Sequence, residues 1–306
     1  MSTPEPRKIT DSFFQLGTPF YPVYLSLGQD AMLIDGGTGG TFFLIQDQLE
    51  AIGVDLASIK SVTLTHSHGD HIGLLPHLLT KWPHLELLAT SAAAESLANE
   101  AVLEDFLALD RHIAAQLQSK GVVAQVPDPI TDYRFHVDTV LEDGQVLDLG
   151  NGIRWSVHST PGHSHCEISL LEEKEGTLAV GDSAGLYMPQ VGSFWPNYFA
   201  SLPKYCASLV RLGTLDADRI ALGHYGVIEG DPKAFLAKAL DQTRDYHEEM
   251  LRRTASGEDV GTLAAEKAKW VEPNAEFMPH QLTEMCCHLL IKRSQKSADR
   301  TDLFPA

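Results

Sequence analysis

The segment Thr65-His66-Ser67-His68-Gly69-Asp70-His71 constrains this chain more than any other stretch. Three imidazoles and a carboxylate fall within six residues, in the order HxHxDH, directly after a short β-prone run over residues 61–64. In extended backbone alternate side chains point the same way, so His66 and His68 can grip one ion. A turn at Gly69 lets Asp70 and His71 face a neighbouring position. Imidazole nitrogen and carboxylate oxygen suit zinc, iron or manganese. A lone histidine in such a loop is ordinary, but HxHxDH arises by chance roughly once in several hundred chains of this composition.

Three later positions extend the set. Thr160-Pro161-Gly162-His163-Ser164 follows a predicted strand over 153–159, Gly181-Asp182-Ser183 one over 177–180, and Gly223-His224-Tyr225-Gly226 one over 219–222. Each puts one candidate ligand just past a strand end, where loops gather and function concentrates. Together with the cluster they make seven: His66, His68, Asp70, His71, His163, Asp182 and His224.

The surrounding pattern is mixed. Short strands are expected at 13–16, 23–27, 32–34, 61–64, 85–89, 145–149, 153–159, 167–171, 177–180 and 219–222, separated by Gly, Pro, Asn and Asp turns. Helical periodicity marks 41–52, ending at Gly53, then 72–79, one or two helices within 92–120, and 203–212. Residues 121–140 read as irregular and 1–11 as a short disordered lead. From Asp231-Pro232 a long charged helix runs to about 254, Ser256-Gly257 breaks it, and helices follow near 260–270 and 279–293. The expected organisation is an α/β domain over 12–230 with a C-terminal helical extension over 231–306.

Composition removes several function classes. The net charge of −18 repels polyanions, which argues against nucleic acid and anionic membrane as partners. No apolar run reaches the roughly 18 residues of a membrane span. Residues 1–11 lack the apolar stretch of a secretory signal. The four cysteines (Cys166, Cys206, Cys286 and Cys287) match no zinc-knuckle or CxxC spacing, so a reducing cytoplasm fits.

The order HxHxDH, TPGHS, GDS and GHxG resembles the metallo-β-lactamase-fold superfamily over roughly residues 12–230. The resemblance implies an αββα sandwich with two divalent metal ions (zinc, or iron or manganese) at one edge. It also implies that His66, His68 and His163 bind the first ion and Asp70, His71 and His224 the second, with Asp182 bridging. Histidine at 163 and 224, with no cysteine in the set, departs from true β-lactamases and points away from an antibiotic substrate. The layout is similar to thioesterases of alkylquinolone biosynthesis at His71-Ile72-Gly73-Leu74-Leu75-Pro76, Gly181-Asp182-Ser183-Ala184-Gly185, Trp195-Pro196 and Phe277-Met278-Pro279. Glyoxalase II-like members share the helical C-terminal addition but commonly carry an aromatic residue where Gly69 stands. Lactonase members share the metal pattern and place a tyrosine after the bridging aspartate, for which Tyr187 is the counterpart here.

Two such ions can share a water and lower its pKa enough to give hydroxide at neutral pH. Asp70 can ligate, orient the nucleophile and carry a proton to the leaving group. The aromatic-rich loop after Asp182, with Tyr187, Phe194, Trp195 and Tyr198, suits an apolar acyl group. The helical extension either covers the cleft, where His280 would meet substrate, or serves packing or homodimer assembly. The expected activity is hydrolysis of a carboxylic ester, thioester or lactone, a small-molecule substrate. Alternatives are a small phosphodiester, mononuclear iron chemistry on sulfur substrates, and a regulatory protein that keeps its metals with slow turnover. No Lys/Arg cluster lies near the ligands, which weighs against phosphate.

Overall fold

Alternation with period two decides which way each strand of the first sheet turns its side chains. In the computed structural model, which describes residues 4–130, 133–275 and 278–304, the chain forms two compact units. The first runs through Ser159 and also takes Cys166–Gly181 and Asp216–Glu229. Its seven-stranded sheet has the order β1 (Arg7–Lys8), β2 (Phe13–Gly17), β3 (Pro22–Leu27), β4 (Ala31–Ile34), β5 (Ile59–Thr63), β6 (Glu86–Ala89) and β7 (Thr139–Val140). β1 to β4 are antiparallel, and β4 to β7 are parallel. Ala31 and Leu33 of β4, with Val23 and Leu25 of β3, join a core that includes residues of α1 (Phe42–Ile52), α3 (Leu75–Lys81), α4 (Ser91–Ala98) and α5 (Glu100–Ser119). Met32, Ile34, Tyr24 and Phe13 turn the other way, into a core shared with the second sheet.

That second sheet contains β8 (Val146–Asp148), β9 (Arg154–Ser159), β10 (Ile168–Glu172) and β11 (Thr177–Gly181). The chain then makes a separate hairpin, β12 (Leu186–Met188) and β13 (Ser193–Trp195), and returns as β14 (Arg219–Leu222) and β15 (Val227–Glu229), giving the order β15-β14-β11-β10-β9-β8. Trp155, Val157, Ile168, Leu170 and Ala179 fill the space between the sheets. Trp155 is fully buried, and its indole N–H donates to Ser26 Oγ at 2.9 Å, so its polar atom is satisfied there.

The second unit comprises residues 160–165, 182–215 and the chain from Gly230 onward. It holds the hairpin, α6 (Leu202–Leu212), α7 (Pro232–Ala255), α8 (Val260–Val271) and α9 (His280–Lys296). Asp231 caps α7 by accepting from Ala234 N at 3.0 Å, and Asp259 caps α8 by accepting from Thr262 N at 2.9 Å. Phe277 lies outside the described residues.

Three expectations change. Residues 7–8 pair with Gln15 and Phe14 as an edge strand, and Pro4 O accepts from Gln48 Nε2 at 2.8 Å, so this part of the polar lead is held by backbone groups rather than disordered. The helix expected over 72–79 is two, α2 (Gly69–Ile72) and α3, with the chain re-starting through Gly73 and Leu74. The aromatic-rich loop after Asp182 is the β12–β13 hairpin, paired Leu186 to Trp195 and Tyr187 to Phe194. Its turn signals are weak because only Gly192 of the connection takes a left-handed φ, 60°.

Candidate metal centre

β4 and β5 run parallel, so the residues after both emerge at one end of the sheet, the edge where open α/β sheets gather ligands. Asp35 follows β4 with φ 64°, a left-handed conformation that Asp tolerates better than most residues. It is 2% exposed. Its Oδ1 accepts from Thr65 N and Thr65 Oγ1, both at 2.8 Å, and its Oδ2 lies 3.1 Å from His71 Nδ1. This carboxylate therefore holds both ends of the histidine cluster and fixes the His71 ring.

The cluster itself turns from strand to helix as the sequence suggests. His66 Nε2 lies 3.1 Å from His68 Nδ1, and His66 Nδ1 lies 3.8 Å from Glu167 Oε1. α2 begins at Gly69, where a side chain is excluded: a Cβ there would stand 2.4 Å from the Phe106 carbonyl oxygen on α5. That contact leaves no room at this place for the aromatic residue that a glyoxalase II-like motif would lead one to expect. Asp70 and His71 then fall in the first turn of α2.

His224 reaches the same group from the tight turn between β14 and β15. Tyr225 (φ 66°) and Gly226 (φ 84°) close that turn. His224 Nδ1 lies 2.8 Å from the Phe20 carbonyl oxygen, and Nε2 lies 3.4 Å from Asp70 Oδ2. His71 Nε2 lies 4.0 Å from the same oxygen. Asp70, His71 and His224 thus offer ligand atoms all within 4.8 Å of one another. Two imidazoles with Nδ1 held, beside one carboxylate, fit a borderline divalent cation: holding the far nitrogen sets the tautomer and ring orientation that metal ligation needs.

β11 and β14 are also parallel, and Gly223 N donates to Gly181 O at 2.8 Å. Asp182 is the next residue in the chain. Within the second unit, Asp182 Oδ2 lies 3.6 Å from His163 Nε2 and accepts from Asn197 Nδ2 at 3.3 Å. His163 Nδ1 lies 3.0 Å from the Asn197 carbonyl oxygen, the arrangement seen at His224, whereas at His71 the Asp35 carboxylate takes that place. His163 and Asp182 are 3% and 6% exposed.

The residues expected to meet substrate sort differently. Tyr187 is half-buried and packs with Phe194 and with Phe235 of α7, ring centroids 5.0 Å apart in both pairs. Trp195 is 2% exposed and lies 5.7 Å from the Phe199 ring. Tyr198 is fully buried, its hydroxyl 2.7 Å from Ser294 Oγ of α9, which makes it a packing residue of the second unit. His280 stands exposed at the start of α9, paired with Glu272 and, at 3.6 Å, with Glu284.

Sequence reasoning missed the groups that orient the imidazoles. Asp35, in Ile34-Asp35-Gly36-Gly37, and Glu167, at the start of an apolar strand, carry a signal of their own: an acid placed where burial is expected. Asn197 acts on His163, and Phe20 on His224, through carbonyl oxygens, which no side-chain pattern reveals. Aromatic rings also flank three imidazoles. Phe106 lies 5.6 Å from His68 and Tyr21 5.6 Å from His224 in the first unit, and Phe199 5.2 Å from His163 in the second.

The family described as the metallo-beta-lactamase superfamily matches residues 22–224. Probable metallo-hydrolase YqjP of Bacillus subtilis (strain 168) is 29% identical over 252 residues, which span 75% of this chain and 74% of that protein. Atrochrysone carboxyl ACP thioesterase of Aspergillus terreus is 26% identical over 241 residues, 78% of this chain and 58% of that protein. Among solved structures, an archaeal metallo-beta-lactamase superfamily protein from Sulfolobus tokodaii matches with a TM-score of 0.54 at 24% identity, covering 76% of this chain and 86% of the other. A metallo-beta-lactamase of Cronobacter sakazakii matches with a TM-score of 0.57 at 19% identity, covering 82% and 95%. At these identities the structural likeness establishes the fold alone.

Proposed function

The chain belongs to the metallo-β-lactamase superfamily and is a metallo-hydrolase of it, and we propose that it cleaves a carboxylic ester, thioester or lactone with a hydrophobic acyl part. The observation that carries the acyl reading is the set of aromatic rings at the imidazoles: Phe106 at His68, Tyr21 at His224 and Phe199 at His163. Flat apolar walls beside ligand side chains favour an acyl group over a phosphodiester, which calls for arginine or lysine. A relative named as a thioesterase supports the same direction.

In this reading His66, His68 and His163 would hold one divalent ion and Asp70, His71 and His224 a second, with Asp182 as a further ligand. Ions held there would supply an acidified water and a counter-charge for a developing oxyanion. The protein's own residues do the rest. Asp35 and the carbonyls of Phe20 and Asn197 keep three imidazoles turned, so little reorganisation remains when substrate arrives. Asp70, 21% exposed at its side chain, is the ligand carboxylate with access to solvent and carries a proton to the leaving group. Phe199, half-buried beside His163, lines the acyl side, a role in which it replaces Tyr198.

The test is a panel of p-nitrophenyl esters, acyl-CoA thioesters, lactones and bis-p-nitrophenyl phosphate, each assayed with zinc, iron and manganese. Turnover of one or more acyl substrates is expected. Cleavage of the phosphodiester alone would overturn the acyl reading.

A further inference from the structure

The buried face of α5 is aliphatic at Leu103, Leu107, Ile113 and Leu117, with one exception, Asp110. Asp110 is 7% exposed, in a position where the helical spacing asks for a leucine. Burying a carboxylate is unfavourable unless hydrogen bonds compensate it. Here its Oδ1 accepts from Thr38 Oγ1 at 2.6 Å and from Gly39 N at 2.9 Å.

What those bonds hold is the segment joining β4 to α1. On its other side the segment is bonded to the backbone that follows Asp70. Gly36 N donates to His71 O at 2.7 Å, Gly73 N to Gly37 O at 3.0 Å, and Leu74 N to Gly36 O at 3.0 Å. Two glycines let the carboxylate come this close. A Cβ at Gly73 would stand 2.0 Å from Asp110 Oδ1, and one at Gly39 would stand 2.8 Å from Oδ2. The segment begins at Asp35, the carboxylate on His71 Nδ1. A continuous chain of short contacts thus runs from α5 to the imidazole.

We infer that Asp110 is a positioning residue for the Asp70–His71–His224 group, acting through residues 35–39 rather than by contact with any ligand side chain. The inference rests on the reading of that group as a metal centre. Burial pushes the Asp110 carboxyl up to about 6, with Asp70 adding to the rise and Arg111, Thr38 and Gly39 opposing it. A group kept at such cost on a core face is doing something that leucine would not. Besides Asp70 and Arg111, His77, half-buried on α3 near Gly39, also faces this corner.

The experiment compares the wild-type protein with Asp110→Ala, Thr38→Val and Asp110→Asn. Zinc affinity is read by competition with a chromogenic chelator, and hydrogen exchange of the metal-free proteins is followed over residues 36–41 and 69–74. Asp110→Ala and Thr38→Val are expected to raise the zinc dissociation constant roughly ten-fold or more, and to speed exchange in both segments. Asp110→Asn, which keeps the acceptor oxygen, is expected to restore both to near the wild-type values. Unchanged zinc affinity in Thr38→Val, with only thermal stability lowered, would overturn the inference and leave Asp110 a packing residue. If the wild-type protein takes up no zinc, iron or manganese, the metal reading falls. Exchange at 69–74 then decides the coupling by itself: faster in the variants supports it, unchanged overturns it.

Discussion

Asp35 carries more of the site than its single letter suggests, because one carboxylate accepts from the Thr65 backbone and hydroxyl and also holds His71 Nδ1. Asp35→Asn keeps the left-handed backbone, which Asn also tolerates, yet replaces the anionic acceptor facing the imidazole. Loss of such an orienting partner typically costs 10–100-fold in metal affinity, so a fall within roughly that range is expected by chelator competition, and unchanged affinity would mean His71 needs no partner. Asp110 makes a separate prediction through its raised pKa. The folded protein binds this proton more tightly than the unfolded chain, so stability from protonation is complete below about 3.8 and is lost as pH rises through about 6. The rise corresponds to at most about 3 kcal/mol above that range. Asp110→Asn should therefore be more stable than wild type at pH 7.5, with the difference vanishing near pH 4; urea denaturation across that range checks it, and a flat difference would overturn the assignment. The candidate ligands stand out in the sequence because metal chemistry demands particular side chains at particular spacings, and of these Asp70, His71 and His224 offer atoms within 4.8 Å of one another. Asp35 and Asp110 give a weaker signal, an acid at a position where burial is expected, and only the fold supplies the partners that explain it.

At the scale of elements, strands and helices were legible where periodicity was strong. β14 and α1 occupy nearly the residues expected, and Gly53 ends α1 with φ 74°. The hairpin was not legible, because its strands are three residues each and both carry aromatics, which read equally well as a loop anchored by its rings. The contacts within the second unit explain its order. Tyr187, Phe194 and Phe235 cluster with centroids 4.8–5.0 Å apart. Gln242 Oε1 accepts from Phe194 N at 2.7 Å and from Ser193 Oγ at 3.0 Å, tying the second strand to α7. Gln242→Ala leaves a buried amide without an acceptor, at a cost of about 1–3 kcal/mol. Faster hydrogen exchange over 186–195 is expected, with metal content unchanged because no ligand is touched. Loss of metal in this variant would show that the hairpin supports the centre as well as itself.

For the whole molecule, a net charge of −18 sets the background in which cations act. In the first unit Asp35 and Asp70 place two carboxylates on either side of His71, where they repel one another unless a cation sits among them. Metal binding is then folding free energy: a ligand that binds only the native state stabilises it by about 4 kcal/mol at 1,000 times its dissociation constant. Treatment with a strong chelator should lower the thermal midpoint by several degrees, and readdition of zinc should restore it. The self-repulsion of the remaining charge is screened by salt, with a Debye length of about 10 Å at 0.1 M. The drop on chelation should therefore be larger at 10 mM than at 500 mM sodium chloride. Calorimetry with and without chelator at both salt concentrations makes the comparison. A midpoint that ignores chelator at either ionic strength, in protein that elemental analysis finds free of metal beforehand, would remove the metal from the account of this fold and with it the proposed hydrolysis.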